Sequence, residues 1–259
     1  MPINFHDEKN KGTYTTRTAD DTWMRFIEKK MDVHNKVVAD IGCGGGIYTK
    51  AFSDLGASHV TGVDFSKEML IGAADNCKEK DNITFVLGDA FSSNLPSNSN
   101  DIVLERALIH HLNDLMACFK EANRALKTNG LFIVQDRTPE DCLLPGDANH
   151  LRGYFFEKFP QLIEKEVARR YTSDQVRSAL AANGFELLNE TQLWETRRVY
   201  EELGALTQDL LQRTGRSILH DITDSELQEL VVFITKKLEN TILPIVEKDS
   251  WTVWIATKK

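Results

Sequence analysis

Apolar positions along this chain follow two periods. Short runs rich in valine, isoleucine and leucine predict buried strands, and segments with apolar residues three to four positions apart predict amphipathic helices. The predicted strands are residues 37–41, 59–64, 82–88, 101–106, 131–134, 185–188 with an extension towards 198, and 251–256. The predicted helices are residues 21–31, 46–56, 67–79, 113–127 and 172–183, with two more within 199–242. Strands that alternate with helices are typical of an α/β fold built on a mostly parallel sheet.

The first predicted strand ends in a glycine-rich turn. Glycine occupies four of the five positions 42–46, directly after Asp40 and Ile41. Such a run continues neither a strand nor a helix at low cost, but it permits positive φ and a close approach of the backbone to a ligand. Because a helix follows from Ile47, its first backbone N–H groups would face a bound cofactor. A glycine turn that binds nothing is the alternative.

The glycine spacing separates two classes of cofactor. A dinucleotide site needs G-x-G-x-x-G, whose third glycine would fall at position 47, where Ile47 stands. The carboxylate of Asp40 would also repel a pyrophosphate, whereas it suits a cationic ligand. Asp64 ends the second predicted strand, 22 positions after Gly42, where an acidic residue takes the ribose hydroxyls of a nucleoside. An N-cap of the next helix is the alternative role for Asp64.

The pattern D-x-G-x-G-x-G from Asp40 to Gly46 resembles the first motif of class I S-adenosylmethionine (SAM)-dependent methyltransferases. SAM carries a sulfonium and an ammonium and no phosphate, which agrees with a carboxylate at this turn. The segments D-F-S-K-E-M-L from Asp64 and G-D-A-F from Gly88 resemble the second and third motifs of this family. The resemblance covers 37–136 by motif and implies a doubly wound, Rossmann-like α/β fold. The implied sheet has seven mostly parallel strands in the order 3-2-1-4-5-7-6, with the last strand antiparallel and with helical cover insertions.

The resemblance also implies which residues contact the cofactor. In the family, the residue after the second acid and a nearby methionine pack against the adenine, and the acid of the third motif accepts a hydrogen bond from the adenine amino group. The implied cofactor-binding residues are Asp40, Gly42, Cys43, Gly44, Asp64, Phe65, Met69, Asp89, Ala90, Phe91 and Arg106, with Tyr14 and Arg17 as candidates for the SAM carboxylate. An Asx-turn is the alternative for Asp89, and a solvated linker is the alternative for Tyr14 and Arg17.

The loop after the fourth predicted strand gives information about the class of acceptor. Its sequence A-L-I-H-H-L at 107–112 resembles the A-L-H-H-L of the ubiquinone/menaquinone-type branch of small-molecule C- and O-methyltransferases. The motifs of amino-methylating DNA enzymes and of cytosine-C5 enzymes do not occur in the sequence. We predict His111 as a candidate general base. A histidine that only hydrogen-bonds the loop backbone is the alternative.

Long segments add to the minimal sheet. We predict a single methyltransferase domain over 1–259, whose core is about 33–136, 172–198 and 248–259 and whose covers are about 1–32, 137–171 and 199–247. The covers are rich in aromatic and leucine residues, which predicts an enclosed apolar acceptor pocket near Tyr154, Phe155 and His111, with a cover that is mobile when the site is empty. Core packing or a dimer surface is the alternative. The alternation of 251–256 by itself indicates an edge strand, although the family places this strand between the fifth and sixth.

Composition narrows the classes of partner. The chain has 31 basic and 39 acidic residues in 259, with a net charge of -8, which disfavours binding to a nucleic-acid backbone. No apolar run is long enough to span a membrane, and Met1–Thr16 is too polar for a signal peptide. The four cysteines, Cys43, Cys77, Cys118 and Cys142, form no C-x-x-C pair. We therefore expect no metal site, no disulfide framework and a cytoplasmic setting.

Together these patterns predict a SAM-dependent methyltransferase that transfers a methyl group to a small organic acceptor by in-line displacement and releases S-adenosylhomocysteine, as a monomer or a homodimer. Three alternatives remain open. They are an RNA or protein methyltransferase, a SAM-binding sensor or partner protein without turnover, and a nicotinamide dehydrogenase, which Ile47 disfavours. The sequence does not identify the acceptor, because acceptor pockets are built from the variable covers.

Overall fold

The computed structural model describes residues 19–259, and within them seven strands form one sheet in the order β3-β2-β1-β4-β5-β7-β6. The strands are β1 Val37–Ile41, β2 His59–Asp64, β3 Ile83–Leu87, β4 Asn100–Arg106, β5 Leu126–Asp136, β6 Phe185–Tyr200 and β7 Ile245–Lys258. The pairs β1·β2, β2·β3, β1·β4 and β4·β5 are parallel, and β5·β7 is antiparallel. The predicted fold class, strand order and antiparallel last strand are confirmed.

Seven of the described helices occur along the chain in the order that the periodicity predicts, and three short helices within residues 137–171 were not predicted. The helices are α1 Asp21–Lys30, α2 Ile47–Asp54, α3 Lys67–Cys77, α4 Leu115–Ala125, α5 Pro139–Cys142, α6 Arg152–Lys158, α7 Leu162–Ala168, α8 Ser173–Ala182, α9 Leu203–Leu211 and α10 Asp224–Lys237, with 3₁₀ turns at Ile109–His111 and Ser217–Asp221. Most predicted boundaries are within one or two residues of these bounds. β1 lies between β2 and β4, so the chain changes direction across the sheet there, and the carboxyl ends of these strands form the crevice in which α/β folds bind ligands.

The predictions for β5 were wrong in extent. The sequence predicted a helix to 127, a turn at Asn129-Gly130 and a strand over 131–134, whereas α4 ends at Ala125 and β5 is Leu126–Asp136. Leu126 pairs with Asn100 and Leu131 with Ile102, so residues 127–130 form a bulge opposite one residue of β4. The positive φ of Asn129, 63°, makes this bulge possible, because it turns the backbone within the strand. The turn signal therefore marks a bulge and not the end of a helix.

The edge-strand interpretation of 251–256 was also wrong. β7 lies between β5 and β6, and every residue from Trp251 to Ala256 is buried. Alternation depends on which faces of a strand meet solvent and does not show whether the strand has neighbours on both sides, as β7 has. The placement that the family resemblance implies is the one observed.

The described chain divides into two compact units. The sheet unit is residues 19–136, 171–193 and 252–259, and the helical unit is residues 137–170 and 194–251. The sheet unit has a hydrophobic cluster on each face of its strands, because neighbouring strand residues point to opposite faces. Val38 belongs to one cluster and Ala39 to the other.

The helical unit has a core of its own. Its buried apolar residues come from α6, α7, α9 and α10 together with the outer parts of β6 and β7. Tyr154 and Phe155, which we predicted nearest the acceptor, lie in this core and are 7% and 1% exposed. The unit also contains two buried groups of arginines and carboxylates, one around Glu166 and one around Asp209 and Glu247.

Candidate functional site

The glycine turn after β1 needs its glycines. Gly42, Gly44 and Gly46 have φ of 78°, 52° and 75°, a region that side chains rarely adopt. The backbone N–H groups of Gly42 and Cys43 both donate to Val63 O, at 2.8 and 3.0 Å, which ties the turn to the end of β2. A Cβ on Gly42 would stand 2.9 Å from Leu108 Cδ1. The turn is therefore fixed in shape before any ligand binds.

Asp64 joins the end of β2 to this turn. Its Oδ2 accepts from Gly44 N at 2.9 Å, and its Oδ1 accepts from Ser66 N at 2.9 Å. The N-cap of α3 is instead Ser66, whose Oγ accepts from Met69 N at 3.2 Å. The residue pattern suggested the capping role for Asp64 but carried no signal for the bond to Gly44. The buried carboxylate, 6% exposed, orients the glycine turn from the neighbouring strand.

Asp40 is a buried carboxyl at the end of β1. It is 2% exposed, and its Oδ2 accepts from Thr49 Oγ1 of α2 at 2.6 Å. Burial, with a smaller contribution from the nearby charge of Asp64, raises the pKa of Asp40 to about 6, although the Thr49 hydrogen bond and the charge of Arg106 act in the opposite direction. Two carboxyl groups thus lie close together beneath the glycine turn. A cation bound there would relieve their repulsion.

Exposed aromatic rings flank the ends of β2 and β3. Phe65 is 50% exposed and Phe91 is 41% exposed, whereas Met69 and Ala90 are buried at 2% and 4%. Asp89 forms the Asx-turn considered as an alternative, since its Oδ1 accepts from Phe91 N at 2.7 Å and from Ser92 N at 2.8 Å. Its side chain is nevertheless exposed. Exposed rings beside a buried apolar floor are suited to stacking on a flat ligand.

Arg106 at the end of β4 packs against an aromatic side chain of α2, which in turn contacts α1. The guanidinium of Arg106 lies 4.1 Å from the ring centroid of Tyr48, and Trp23 of α1 meets that ring edge-on at 4.8 Å. Trp23 Nε1 donates to Gln135 Oε1 at 2.9 Å. Arg106 therefore lies against an aromatic wall near the carboxyl edge of the sheet. Tyr14 and Arg17 lie outside the described residues.

The two histidines of the turn after β4 differ in their surroundings. His111, the predicted base candidate, is exposed. His110 Nδ1 lies 2.8 Å from Oδ2 and 3.0 Å from Oδ1 of Asp136, and Asp136 is 1% exposed. This pair was not predicted from the sequence. The available signal was that Asp136 ends β5, at the same edge of the sheet as Asp40 and Asp64.

Some other site types are not present in the part of the chain that the structure describes. Between residues 19 and 259, no three histidine, cysteine or acidic side chains are grouped so as to hold a metal ion. The helices in this range are all too short or too polar to cross a membrane. The four cysteines are buried and free.

Comparisons with known proteins agree with this geometry. Residues 39–134 match the family model described as "Methyltransferase domain". The uncharacterized methyltransferase YcgJ of Bacillus subtilis is 38% identical over 117 residues, which are 44% of this chain and 46% of YcgJ. Its crystal structure superposes with a TM-score of 0.59 at 20% identity and covers 91% of this chain and 97% of that chain, which supports the shared fold.

Two further relatives have named acceptors. Demethylmenaquinone methyltransferase of Staphylococcus haemolyticus is 34% identical over 116 residues, 43% of this chain and 48% of that protein. Sterol 24-C-methyltransferase of Gibberella zeae is 30% identical over 163 residues, 61% of this chain and 42% of that protein. The chain spans less than half the length of the curated relatives it matches.

The residues at the sheet edge fit the cofactor of this family. The open side of the glycine turn allows a close approach of the backbone to a ligand. The paired carboxyls suit a cationic tail, and the exposed rings suit an adenine. A Cβ on Gly44 would meet only Met69 Cε, at 3.6 Å, among the described atoms, so space remains above the turn. With the family model, the relatives and the fold in agreement, residues 39–134 form a methyltransferase domain that resembles the class I SAM-dependent methyltransferases.

Proposed function

We propose that this protein transfers the methyl group of SAM to a small organic acceptor by in-line displacement and releases S-adenosylhomocysteine. The observation that carries the proposal is the bond from Gly44 N to Asp64, which organises the glycine turn beside a carboxylate at the end of β2. In a nucleoside site, that carboxylate takes the ribose hydroxyls. Alignment of acceptor and methyl group would supply much of the rate.

Each side chain at the sheet edge has a proposed part in holding the cofactor. Asp64 accepts from the ribose, Asp40 favours the cationic tail, and Asp89 accepts from the adenine amino group. Phe65 and Phe91 enclose the adenine over Met69 and Ala90, with Gly42, Cys43, Gly44 and Arg106 around the remaining parts of SAM. Tyr14 and Arg17 are proposed for its carboxylate.

A small acceptor is supported by the relatives and by charge. The names of two relatives specify a quinone-type and a sterol acceptor, both small organic molecules. The net charge of -8 would repel the phosphates of RNA. These observations favour a metabolite over a macromolecule.

The proposal is tested by turnover. The purified protein is incubated with SAM and a metabolite extract, S-adenosylhomocysteine is quantified, and the methylated product is identified by its mass. We expect S-adenosylhomocysteine to accumulate only with extract. Methylation of bulk tRNA or of folded protein in place of metabolites would reject a small acceptor, and SAM binding without turnover on any of these would indicate a binding module.

Replacing Asp64 with alanine is expected to weaken SAM binding at least about tenfold. A hydrogen bond to a charged group contributes about 1.5–3 kcal/mol, and about 1.4 kcal/mol corresponds to a factor of ten. The variant also frees the N–H of Gly44 from its partner, so the turn loses order. Calorimetry measures the affinity, and Asp81→Ala, at an exposed position, is the matched control. Unchanged affinity in Asp64→Ala would remove Asp64 from the site.

A further inference from the structure

The turn between β4 and α4 holds His110 in one orientation. Both Oδ atoms of the buried Asp136 lie within 3.0 Å of His110 Nδ1, and the backbone N of His110 also donates to Oδ2, at 3.3 Å. Because an ionised carboxylate only accepts hydrogen bonds, this arrangement assigns the proton of the neutral imidazole to Nδ1. The lone pair, and with it the basicity of the ring, then lies at Nε2.

The backbone around this histidine is fixed at both ends. Ala107 N donates to Gln135 O at 2.8 Å, next to Asp136 on β5. At the other end, Tyr171 OH donates to Leu112 O at 2.8 Å. Ala107 has a φ of 51°, a conformation that costs free energy for a residue with a Cβ. The turn is thus held in place by β5 and by the segment before α8, as a positioned catalytic group requires.

We propose that His110, oriented by Asp136, is the general base of the methyl transfer, and that the acceptor is therefore a hydroxyl or an acidic C–H group. This inference rests on the proposed function. An acceptor that is already nucleophilic, such as a thiolate or a neutral amine, needs no base before it attacks. A hydroxyl or a carbon acid gains nucleophilicity when its proton is removed as the new bond forms.

The step balances with the groups present. His110 Nε2 takes the proton of the acceptor, and the electron pair released on oxygen or carbon forms the bond to the methyl carbon. The electrons of the broken carbon–sulfur bond stay on the sulfur of S-adenosylhomocysteine. The buried charge of Asp136 stabilises the imidazolium, which then releases its proton to solvent.

The groups that face the His110 ring favour this role. They include Asp136 from β5 and the ring of His111 from the same turn, whose centroid lies 4.0 Å away at an interplanar angle of 41°. The His110 side chain is 14% exposed, so the ring is enclosed but reachable. His111 is exposed and is the alternative base, and the two histidines are separated by experiment.

The first experiment needs no acceptor. In protein with ¹⁵N-labelled histidine, long-range ¹H–¹⁵N spectra report which ring nitrogen carries the proton. We expect His110 to be the Nδ1-H tautomer at neutral pH and to become a tautomer mixture in Asp136→Asn. An Nε2-H tautomer of His110 in the wild-type protein would overturn the proposal, because Nε2 would then have no lone pair to offer.

The second experiment measures turnover and cofactor affinity separately. The probes are a catechol, a hydroquinone and a 1,3-diketone, compared with an aromatic thiol and a primary amine, together with the acceptor found in the metabolite screen. We expect His110→Gln and Asp136→Asn to bind SAM like the wild type and to lose about a hundredfold or more in kcat with hydroxyl and carbon-acid acceptors. The loss should narrow as the pH approaches the pKa of the acceptor, which a merely structural defect would not do. His34→Gln, in the exposed turn before β1, is the control.

The outcomes are distinguishable. If the wild type binds no SAM, the proposed function itself fails. Bound SAM with no turnover on any probe or extract would mean that the protein is a binding module, and the base assignment would fall with it. Turnover confined to the thiol or the amine, or a loss in His111→Gln that exceeds the loss in His110→Gln, would overturn the assignment of His110 while the methyltransferase function stands.

Discussion

Replacing Glu166 with glutamine is expected to lower the free energy of unfolding of the helical unit by about 3–5 kcal/mol. Glu166 is completely buried, and its Oε1 accepts from Arg152 at 2.6 Å and from Arg170 at 2.7 Å. Arg169 pairs with Oε2. The amide keeps the shape of the side chain but removes its charge, so buried guanidinium groups lose their counter-ion.

The pH dependence gives an independent check on Glu166. Burial opposes its ionisation, but the charges of Arg152, Arg170 and Arg169 outweigh burial and hold the pKa of Glu166 far below its usual range. Stabilisation from a lowered pKa is present above the value of the unfolded chain, about 4.3, and is lost as the pH falls below it. The difference in unfolding free energy between wild type and Glu166→Gln should therefore shrink below about pH 4.3.

Urea unfolding followed by tryptophan fluorescence measures this difference, because Trp194 and Trp251 lie in the helical unit. Glu164→Gln changes an exposed carboxylate on the same helix and should stay within about 0.5 kcal/mol of the wild type. A loss of less than about 1 kcal/mol in Glu166→Gln would show that the arginines are neutralised in another way.

Asp40→Asn is expected to make the protein more stable and a poorer cofactor binder. The pKa of Asp40 is raised from 3.8 to about 6, and two pKa units correspond to about 3 kcal/mol of cost for the buried charge. The new amide N–H needs an acceptor, and the lack of one would cost about 1–3 kcal/mol. The net gain in the free energy of unfolding at neutral pH is therefore between about 0 and 3 kcal/mol. SAM affinity should fall, because the charge that attracts its cationic tail is gone.

The sign of the pH effect follows from the raised pKa. Between about pH 4 and pH 6 the folded protein holds a proton that the unfolded chain has lost, so wild-type stability falls as the pH rises through this window. Asp40→Asn has no such titration, so its advantage should be small near pH 4 and complete above about pH 7. Denaturation at both pH values, with Asp81→Asn as an exposed control, checks this. A variant less stable than wild type at neutral pH would mean that the site solvates the Asp40 charge well.

The order of elements was predictable because the periods of the apolar residues are local. The alternation of strands and helices, with motif residues at the ends of β1, β2 and β3, lies in contiguous stretches, and parallel strands bring those ends to one edge. Asp40, Asp64, Phe65 and Asp89 could thus be placed at that edge from their positions alone. The alternating pattern of 251–256 could not show whether β7 lies at the edge of the sheet, because its neighbours β5 and β6 are distant from it along the chain.

Only the tertiary structure decided which partners the polar side chains meet. His110 and Asp136 are 26 residues apart and Gly44 and Asp64 are 20 apart, and each pair meets only because the strand order makes β4 a neighbour of β5 and β1 a neighbour of β2. The sequence by itself indicated a methyltransferase domain, the cofactor half of the sheet and a pair of adjacent histidines, of which it favoured His111 as the base. It left undecided which histidine faces a carboxylate, because the direction of a side chain in a turn depends on the neighbouring strand and not on the residues beside it in the chain.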